Sequence, residues 1–197
     1  MKSVKFIYFD GGGTLFKDNI VPKLAEKLEI PYQHFVEVYK PYKKSVLTGK
    51  IHPDVVWQAF QDELGFSYEE KDYNKFWFSL SEPIQEMHTL LLELRKKLKI
   101  GLLTNLPLHG FDYLTRYHLV PDCSYDSIIN SAEIGYAKPD VKIYEIAQKK
   151  AGVLPGEILF IDNKREFIDK AKEVGWRGVL VEKDLGKTIQ QIQLLID

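Results

Sequence analysis

The chain has 197 residues, of which 27 are lysine or arginine and 28 are aspartate or glutamate, so its formal net charge is −1. This balance excludes a broad basic surface for nucleic acid, and the hydrophobic content of 45% excludes an acidic disordered chain. The single cysteine, Cys123, excludes an internal disulfide and a multi-cysteine metal site.

The first predicted element is a strand. Val4 to Phe9 is a short apolar and aromatic run, typical of a buried strand, and it stops at Asp10 and three glycines. No apolar run is long enough to span a membrane, and no secretory signal precedes this strand. We therefore expect a cytoplasmic protein, a monomer or homodimer, with no membrane partner and no nucleic-acid partner.

A long helical stretch follows the first strand. From residue 18 to residue 82, apolar and aromatic residues recur at helical spacing, and no strand pattern interrupts them. We interpret its aromatic residues, including Tyr39, Tyr42, Trp57 and Phe60, as the packed core of a subdomain rather than as a ligand pocket.

Strands and helices alternate after Pro83. A helical stripe of leucines comes first, and four short apolar runs then alternate with helical segments. The predicted strands are 100–103, 127–129, 158–161 and 178–181, and the predicted helices are 109–118, 140–151, 165–174 and 187–196. Such alternation predicts an α/β fold, a Rossmann-like parallel sheet sandwiched by helices. We expect residues 1–17 and 83–197 to form this core domain and residues 18–82 to form an inserted helical subdomain.

Polar residues stand where the predicted strands end. In a parallel sheet, ligands bind beyond the carboxyl ends of the strands, so these residues are predicted to meet at one edge. They are Asp10 after the first strand, Thr104 and Asn105 after the second, Asp162 and Asn163 after the fourth, and Lys138 just before a helix. Each of them alone is an ordinary turn, capping or surface residue, and it is their combination in this order that indicates a site.

This set of side chains suits phosphoryl transfer. Two carboxylates with hard oxygen donors suit Mg²⁺. A metal ion, a lysine and a threonine hydroxyl together neutralise the charge of a transferring phosphoryl group. Gly11, Gly12 and Gly13 allow backbone N–H groups to approach an anion closely, and Asp10 is either a metal ligand or a nucleophile.

The same residues resemble the sequence motifs of the haloacid dehalogenase superfamily of phosphotransferases and hydrolases. The first motif of that family, a strand followed by Asp-x-Asp-Gly-Thr-Leu, corresponds to FIYFDGGGTL at 6–15. The second, a strand ending in Thr or Ser, corresponds to GLLTN at 101–105, and the third, a lysine before a proline and a helix, corresponds to KPD at 138–140. The fourth, a strand ending in paired acids, corresponds to LFIDN at 159–163. The resemblance spans nearly the whole chain and implies that residues 18–82 form a small helical cap.

The resemblance implies a role for each matching residue. Asp10 would form an aspartyl-phosphate from a small phosphorylated metabolite, and Thr104 and Lys138 would be the other catalytic side chains. The implied phosphate-binding residues are Gly11, Gly12, Thr104, Asn105 and Lys138. The implied Mg²⁺ ligands are Asp10, the backbone carbonyl of Gly12, Asp162 and Asn163, the last of which stands where the family usually has an acid.

Gly12 is the important departure from the family pattern. Family phosphatases have a second Asp here, which protonates the leaving oxygen and then deprotonates the attacking water. General acid–base catalysis contributes roughly 10²–10⁴-fold to a rate, so we expect a slow hydrolase. Asp18 is a candidate replacement, and the cap offers four others, which are Glu26, Glu37, His34 and His52.

Other functions stay open on the sequence. Gly12 and Asn163 together also fit a catalytically impaired protein that binds a ligand or regulates. A dehalogenase or a phosphonate hydrolase would lack the second Asp too, and the phosphonate hydrolase needs a Schiff-base lysine from the cap. The candidates for that lysine are Lys43, Lys44 and Lys50. The order of the motifs excludes a phospho-receiver domain, and the glycine spacing excludes a dinucleotide site.

Overall fold

The structure, a computed structural model, describes residues 3–67 and 72–196 of the chain. Its centre is a five-stranded parallel sheet with the strand order β3-β2-β1-β4-β5. The strands are β1 (Phe6–Phe9), β2 (Lys99–Thr104), β3 (Ser127–Asn130), β4 (Ile158–Asp162) and β5 (Arg177–Leu180). The predicted core and cap ranges also include residues 1, 2, 68–71 and 197, which lie outside the described residues.

Helices connect and follow these strands. Between β1 and β2 lie α1 (Ile20–Leu28), α2 (Tyr32–Tyr39), α3 (Lys43–Leu47), α4 (Pro53–Leu64), α5 (Tyr73–Ser79) and α6 (Gln85–Arg95). Beyond β2 lie α7 (Gly110–Arg116), α8 (Ser131–Ile134), α9 (Val141–Ala151), α10 (Arg165–Glu173) and α11 (Leu185–Ile196). Within the described ranges, no helix has the length and apolarity needed to cross a membrane.

Both faces of the sheet are covered, which confirms the predicted fold class. Successive side chains of a strand point to opposite faces, and β1 follows this rule. Phe6 and Tyr8 pack in one hydrophobic cluster with α9 and α10, whereas Ile7 and Phe9 pack in another with α6, α7 and α11. The short strands are buried on both sides, and for this reason their sequences are continuous apolar runs without alternation.

Two local features differ from the sequence prediction. Strand β1 begins at Phe6 rather than at Val4, although the N–H of Lys5 still donates to the carbonyl of Glu157, just before β4, at 2.9 Å. The single turn of α8 is not predicted by the sequence pattern. It forms where the side chain of Asn130, at the end of β3, accepts a hydrogen bond from the N–H of Ala132 at 3.0 Å.

The helices α1 to α5, which we call the cap helices, share a hydrophobic cluster of their own. Its members include Leu24, Phe35, Trp57, Phe60 and Phe76. Trp57 and Phe60 are fully buried there and pack as core residues, as the sequence analysis interpreted them. The cap helices therefore have an interior largely of their own, which meets the sheet at α5, where Phe78 belongs to a cluster on the sheet and Trp77 packs against both clusters.

Two extended segments that lie side by side connect the cap helices to the sheet domain. The N–H of Lys17 donates to the carbonyl of Glu82 at 2.8 Å, and the N–H of Ile84 donates to the carbonyl of Leu15 at 2.8 Å. The Glu82 carboxylate also pairs with the ammonium groups of Lys17 and Lys23. The chain thus leaves and re-enters the sheet domain at one place, directly beside the carboxyl end of β1.

Candidate active site

The predicted strand-end residues meet at the carboxyl edge of the sheet. Phe9 of β1 is level with Leu102 of β2 and Ile161 of β4, so the residues that follow these positions are neighbours. The N–H of Asp10 donates to the carbonyl of Ile161 at 2.9 Å, which places Asp10 next to Asp162. Asp10, Thr104, Lys138 and Asp162 are all buried.

Lys138 forms ion pairs with both carboxylates. Its Nζ lies 2.7 Å from Asp10 Oδ1 and 2.6 Å from Asp162 Oδ2, and its side chain is fully buried. Burial alone would lower the pKa of Lys138, but the charges and hydrogen bonds of the two carboxylates raise this pKa above its ordinary value. The lysine is therefore a fixed positive charge at neutral pH.

The negative charges of Asp10 and Asp162 still repel each other. The pKa of Asp162 is raised to about 6, chiefly by burial and also by the negative charge of Asp10. Lys138 and the N–H of Lys164, which donates to Asp162 Oδ1 at 2.7 Å, oppose the rise. One ammonium group thus neutralises only part of the negative charge of two buried carboxylates. A cation placed beside them would neutralise the rest.

Asn105 holds the backbone of Lys138. Its Oδ1 accepts a hydrogen bond from the N–H of Lys138 at 2.8 Å, and its Nδ2 donates to the carbonyl of Lys138 at 3.0 Å. The sequence prediction gives Asn105 a phosphate-binding role, whereas in the structure both ends of its amide contact this backbone. This pairing fixes the residue that carries the ammonium group.

The glycine loop after Asp10 is constrained at two of its three positions. A Cβ on Gly11 would lie 2.9 Å from the Phe16 ring and 3.0 Å from Thr104 Oγ1. Gly13 has a φ of +80°, and its Cβ would lie 2.0 Å from Nδ2 of Asn163. Side chains at these two positions would therefore collide with the site.

Gly12 is different from its two neighbours. A Cβ at this position would make only ordinary van der Waals contacts, at 3.6 Å to the Phe16 ring and 3.9 Å to the Cβ of Asp18. Its φ lies outside the left-handed region that requires glycine. The loop therefore has room for the side chain that the family pattern places here, and the glycine is not a steric necessity.

The potential metal ligands are all oxygen atoms. They comprise the carboxylates of Asp10 and Asp162, the backbone carbonyl of Gly12 and the amide oxygen of Asn163, which is buried and has no hydrogen-bond partner. Within residues 3–67 and 72–196, no three Asp, Glu, His or Cys side chains come together as a metal-binding group. A metal here would rest on two carboxylates supplemented by neutral oxygens, a donor set that fits Mg²⁺ rather than zinc.

A cleft of about 1010 Å³ lies between this edge of the sheet and the cap helices. The sheet side contributes Asp10, Gly12, Thr104, Asn105 and Lys138. The cap side contributes an aromatic and aliphatic wall together with four lysines, and its lining residues include Phe35, Tyr39, Leu47, Trp77, Lys40, Lys43, Lys44 and Lys50. The reactive edge of the sheet thus faces a large cavity of mixed apolar and basic character.

The acids and bases that could replace an Asp at position 12 differ in whether they line this cleft. Asp18 lines it, whereas Glu26, Glu37, His34 and His52 are not among the described residues that do. Glu166, which the sequence analysis missed, also lines the cleft from the first turn of α10. An acid in the first turn of the helix that follows Asp162 and Asn163 is the signal that could have identified it.

The chain was compared with known protein families and structures. The family model described as haloacid dehalogenase-like hydrolase matches residues 4–175. The chain is 28% identical over 195 residues to the sesquiterpene phosphatase astK of Aspergillus oryzae, which covers 97% of this chain and 96% of that protein. It is 28% identical over 193 residues to a glyceraldehyde 3-phosphate phosphatase of Methanocaldococcus jannaschii, covering 91% of this chain and 77% of that protein.

Solved structures of this family share the fold. The magnesium complex of a family enzyme from Bacteroides thetaiotaomicron has a TM-score of 0.76 at 22% identity, covering 93% of this chain and 96% of that one. An L-2-haloacid dehalogenase from Xanthobacter autotrophicus has a TM-score of 0.68 at 21% identity, covering 92% and 80%. The resemblance seen in the four motifs is confirmed: the chain belongs to the haloacid dehalogenase-like hydrolases.

Proposed function

We propose that the chain is a Mg²⁺-dependent phosphatase that hydrolyses small phosphorylated metabolites through an aspartyl-phosphate on Asp10. The observation that carries this proposal is the buried ammonium of Lys138, held 2.7 Å from Asp10 and 2.6 Å from Asp162 at the end of the cleft. A fixed positive charge beside a nucleophilic carboxylate is what the charge of a transferring phosphoryl group requires. Relatives named as phosphatases support the same chemistry.

Asp10 is the nucleophile in this proposal. Its Oδ1 is occupied by Lys138, so Oδ2 is the oxygen that attacks phosphorus. A bond forms between Oδ2 and phosphorus as the bond to the leaving oxygen breaks. Lys138 balances charge on Asp10, and the Thr104 hydroxyl donates to a phosphoryl oxygen. Water then attacks phosphorus, the bond to Oδ2 breaks, and Asp10 and inorganic phosphate are released.

Mg²⁺ is the proposed cofactor, held by Asp10, the carbonyl of Gly12, Asp162 and Asn163. When bound, the ion would neutralise negative charge on the phosphoryl group. The unpartnered amide oxygen of Asn163 and the incompletely compensated carboxylates support a cation here. A family enzyme from Bacteroides thetaiotaomicron with the same fold has been crystallised with magnesium and inorganic phosphate. Glu166, which lines the cleft from the first turn of α10, would add negative charge near the ion.

The substrate class follows from the walls of the cleft. An aromatic and aliphatic cap wall in a cavity of about 1010 Å³ favours a phosphate ester with an apolar body over a small sugar phosphate. The relative from Aspergillus oryzae is named a sesquiterpene phosphatase. A sesquiterpenyl monophosphate is therefore the first substrate to test against glyceraldehyde 3-phosphate.

We propose that the enzyme acts in the cytoplasm as a monomer or homodimer, in keeping with its single free cysteine.

Two related chemistries are less well supported. Lys43, Lys44 and Lys50 do line the cleft, but each is exposed, whereas a Schiff-base lysine is activated by desolvation. A dehalogenase would use Asp10 without a metal, and the oxygen donors around Asp162 and Asn163 would then have no use. An impaired binding or regulatory protein is the remaining alternative, and Gly12 is the feature that favours it.

The test is hydrolysis of p-nitrophenyl phosphate with Mg²⁺ and with a chelator. Nitrophenolate leaves without a proton, so the absence of an acid at Gly12 matters least for this substrate. We expect turnover that requires Mg²⁺ and disappears in Asp10→Asn but not in Asp169→Asn, an exposed residue of α10 outside the cleft. Turnover that survives Asp10→Asn would refute the proposed nucleophile, and an inactive wild-type protein would favour the binding alternative.

A further inference from the structure

We propose that Asp18 carries out the proton transfers for which the loop has no side chain at Gly12. This inference rests on the proposed phosphatase function and adds a catalytic residue to it. The family motif places the acid and base on the loop itself. In this chain the carboxylate would come instead from the segment that leads into α1, six positions further along.

The first support is geometric. A Cβ built on Gly12 lies 3.9 Å from the Cβ of Asp18, in ordinary van der Waals contact. Carboxyl groups carried on two such neighbouring Cβ atoms reach the same region of the cleft, and Asp10, Gly12 and Asp18 all line it. The empty space at Gly12 is thus the space through which the Asp18 side chain can approach the phosphoryl group.

The second support is that Asp18 has no structural role among the described residues. It is exposed to the cleft, and it makes no hydrogen bond and no ion pair there. Asn19, rather than Asp18, stands at the N-cap of α1. The nearby ammonium groups of Lys17 and Lys23 are engaged by Glu82. The carboxylate of Asp18 is therefore free to accept and return a proton.

The third support is the position of the carboxylate relative to Tyr39 in the cap wall. Burial raises the pKa of Tyr39, and the negative charge of Asp18 raises it further. The carboxylate is thus close enough to act on the Tyr39 hydroxyl, which lines the same cleft. Asp18 lies on the cap side of the paired connecting segments, between the reacting edge of the sheet and the cap wall.

The other acids of the cleft are less suited to this role. Asp140 caps α9, because its Oδ1 accepts a hydrogen bond from the N–H of Lys142 at 2.9 Å. Glu166 lies in the first turn of α10, close in sequence to the proposed metal ligands Asp162 and Asn163, and we assign it to the metal side of the site. Asp10 is itself the nucleophile. Among the described residues that line the cleft, Asp18 is the remaining acid.

Asp18 would transfer one proton in each of the two steps. In the first step, the protonated Asp18 carboxyl gives its proton to the leaving oxygen as the phosphorus–oxygen bond of the substrate breaks. In the second step, the Asp18 carboxylate takes a proton from water while the water oxygen bonds to phosphorus and the bond to Asp10 breaks. Asp18 is protonated again at the end, and inorganic phosphate and the alcohol are the products.

The experiment compares Asp18→Asn, Gly12→Asp and the double variant with the wild-type protein, using Asp169→Asn as the matched control. The readouts are steady-state turnover of p-nitrophenyl phosphate, the size of the first-turnover burst, and the fraction of protein that carries acid-stable phosphate after quenching. We expect Asp18→Asn to lower steady-state turnover by about 10²–10⁴-fold while the burst persists and phosphoenzyme accumulates. Gly12→Asp should restore turnover in the double variant, since position 12 accepts a side chain.

Several results would overturn this proposal. Turnover of Asp18→Asn equal to that of wild type and Asp169→Asn would show that Asp18 has no part in the reaction. A loss of burst and turnover together, without phosphoenzyme and without rescue by Gly12→Asp, would show a structural role only. An inactive wild-type protein beside an active Gly12→Asp variant would show that Asp18 does not replace the acid, while Asp10 remains the nucleophile. Activity that survives Asp10→Asn would instead refute the phosphatase mechanism itself.

Discussion

The amide of Asn105 pairs with both the N–H and the carbonyl of Lys138, at 2.8 Å and 3.0 Å, across 33 positions of sequence. This is a bidentate contact between a side chain at the end of β2 and the loop that carries the buried ammonium. It ties the lysine to the sheet, so that its Nζ reaches both Asp10 and Asp162. The position of the buried ammonium thus depends on a residue that need not touch phosphate.

Asn105→Ala should therefore lower the rate of catalysis, because it releases the backbone that positions the Lys138 ammonium. Two hydrogen bonds are lost, which corresponds to about 1–3 kcal/mol of unfolding free energy. We expect kcat for p-nitrophenyl phosphate to fall about tenfold or more, because misplacement of a catalytic group is costly. Urea unfolding and steady-state kinetics measure the two effects. A variant that binds phosphate less tightly at unchanged kcat would instead favour a direct phosphate contact by Asn105.

Lys138→Met should destabilise the protein strongly. The substitution leaves two buried carboxylates without their counter-charge, and breaking a buried ion pair typically costs about 3–5 kcal/mol. Millimolar Mg²⁺ should recover part of this loss, since a ligand that binds only the folded state stabilises it. Thermal unfolding with and without Mg²⁺ tests this, with Lys142→Met on the exposed face of α9 as the control. Equal unfolding temperatures for the two variants would contradict the role given to Lys138.

The sequence predicts which residues lie at the carboxyl edge of the sheet better than it predicts the contacts that they make. Asp10 follows β1, and Thr104 and Asp162 are the last residues of β2 and β4, so their convergence depends only on the register of buried parallel strands. Lys138 lies in a loop, and the family motif rather than periodicity identifies it.

The remaining features depend on tertiary structure. The pairing of Asn105 with the Lys138 backbone depends on two loops meeting, which no local pattern encodes. The free space at Gly12 and the approach of Asp18 depend on how the chain turns at Phe16 toward the cap. The predicted helix begins at 165, as α10 does, but Glu166 lies inside it rather than at the end of a strand, where the site residues were expected.

Gly13→Ala and Gly12→Ala form a matched pair. Gly13 has a φ of +80° and its Cβ would lie 2.0 Å from the Asn163 amide, so the substitution forces the loop or Asn163 to move. We expect Gly13→Ala to lose about 1–3 kcal/mol and to weaken Mg²⁺ binding, and Gly12→Ala to stay within about 1 kcal/mol of wild type. Urea unfolding and Mg²⁺ titration measure both. Equal losses in the two variants would mean that the loop conformation differs from this description.

His88 should make stability depend on pH. Its Nε2–H donates to the carbonyls of Leu15 and Leu119, at 3.0 Å and 3.1 Å, from a buried position on α6. Burial lowers the pKa of His88 below its ordinary value of 6.5, and these hydrogen bonds offset only part of that effect. The unfolded chain therefore binds a proton first, and stability falls as the pH drops through the unfolded pKa toward the folded one.

His88→Gln tests this dependence, because a glutamine amide donates a similar hydrogen bond but does not titrate. We expect the unfolding free energy of the variant to fall less steeply than that of wild type between about pH 7.5 and 5. Urea unfolding at several pH values provides the comparison. Parallel pH profiles for the two proteins would show that the burial of His88 does not contribute to acid sensitivity.

The central claim is that Asp10 forms a covalent aspartyl-phosphate, and its most direct test is to find that phosphate on the peptide. The protein is mixed with p-nitrophenyl phosphate and Mg²⁺, quenched in acid within the first turnovers, digested, and analysed by mass spectrometry. We expect a phosphorylated peptide that contains Asp10, more of it in Asp18→Asn than in wild type, and none in Asp10→Asn. Turnover without any phosphorylated Asp10 peptide, in wild type and in Asp18→Asn alike, would contradict it.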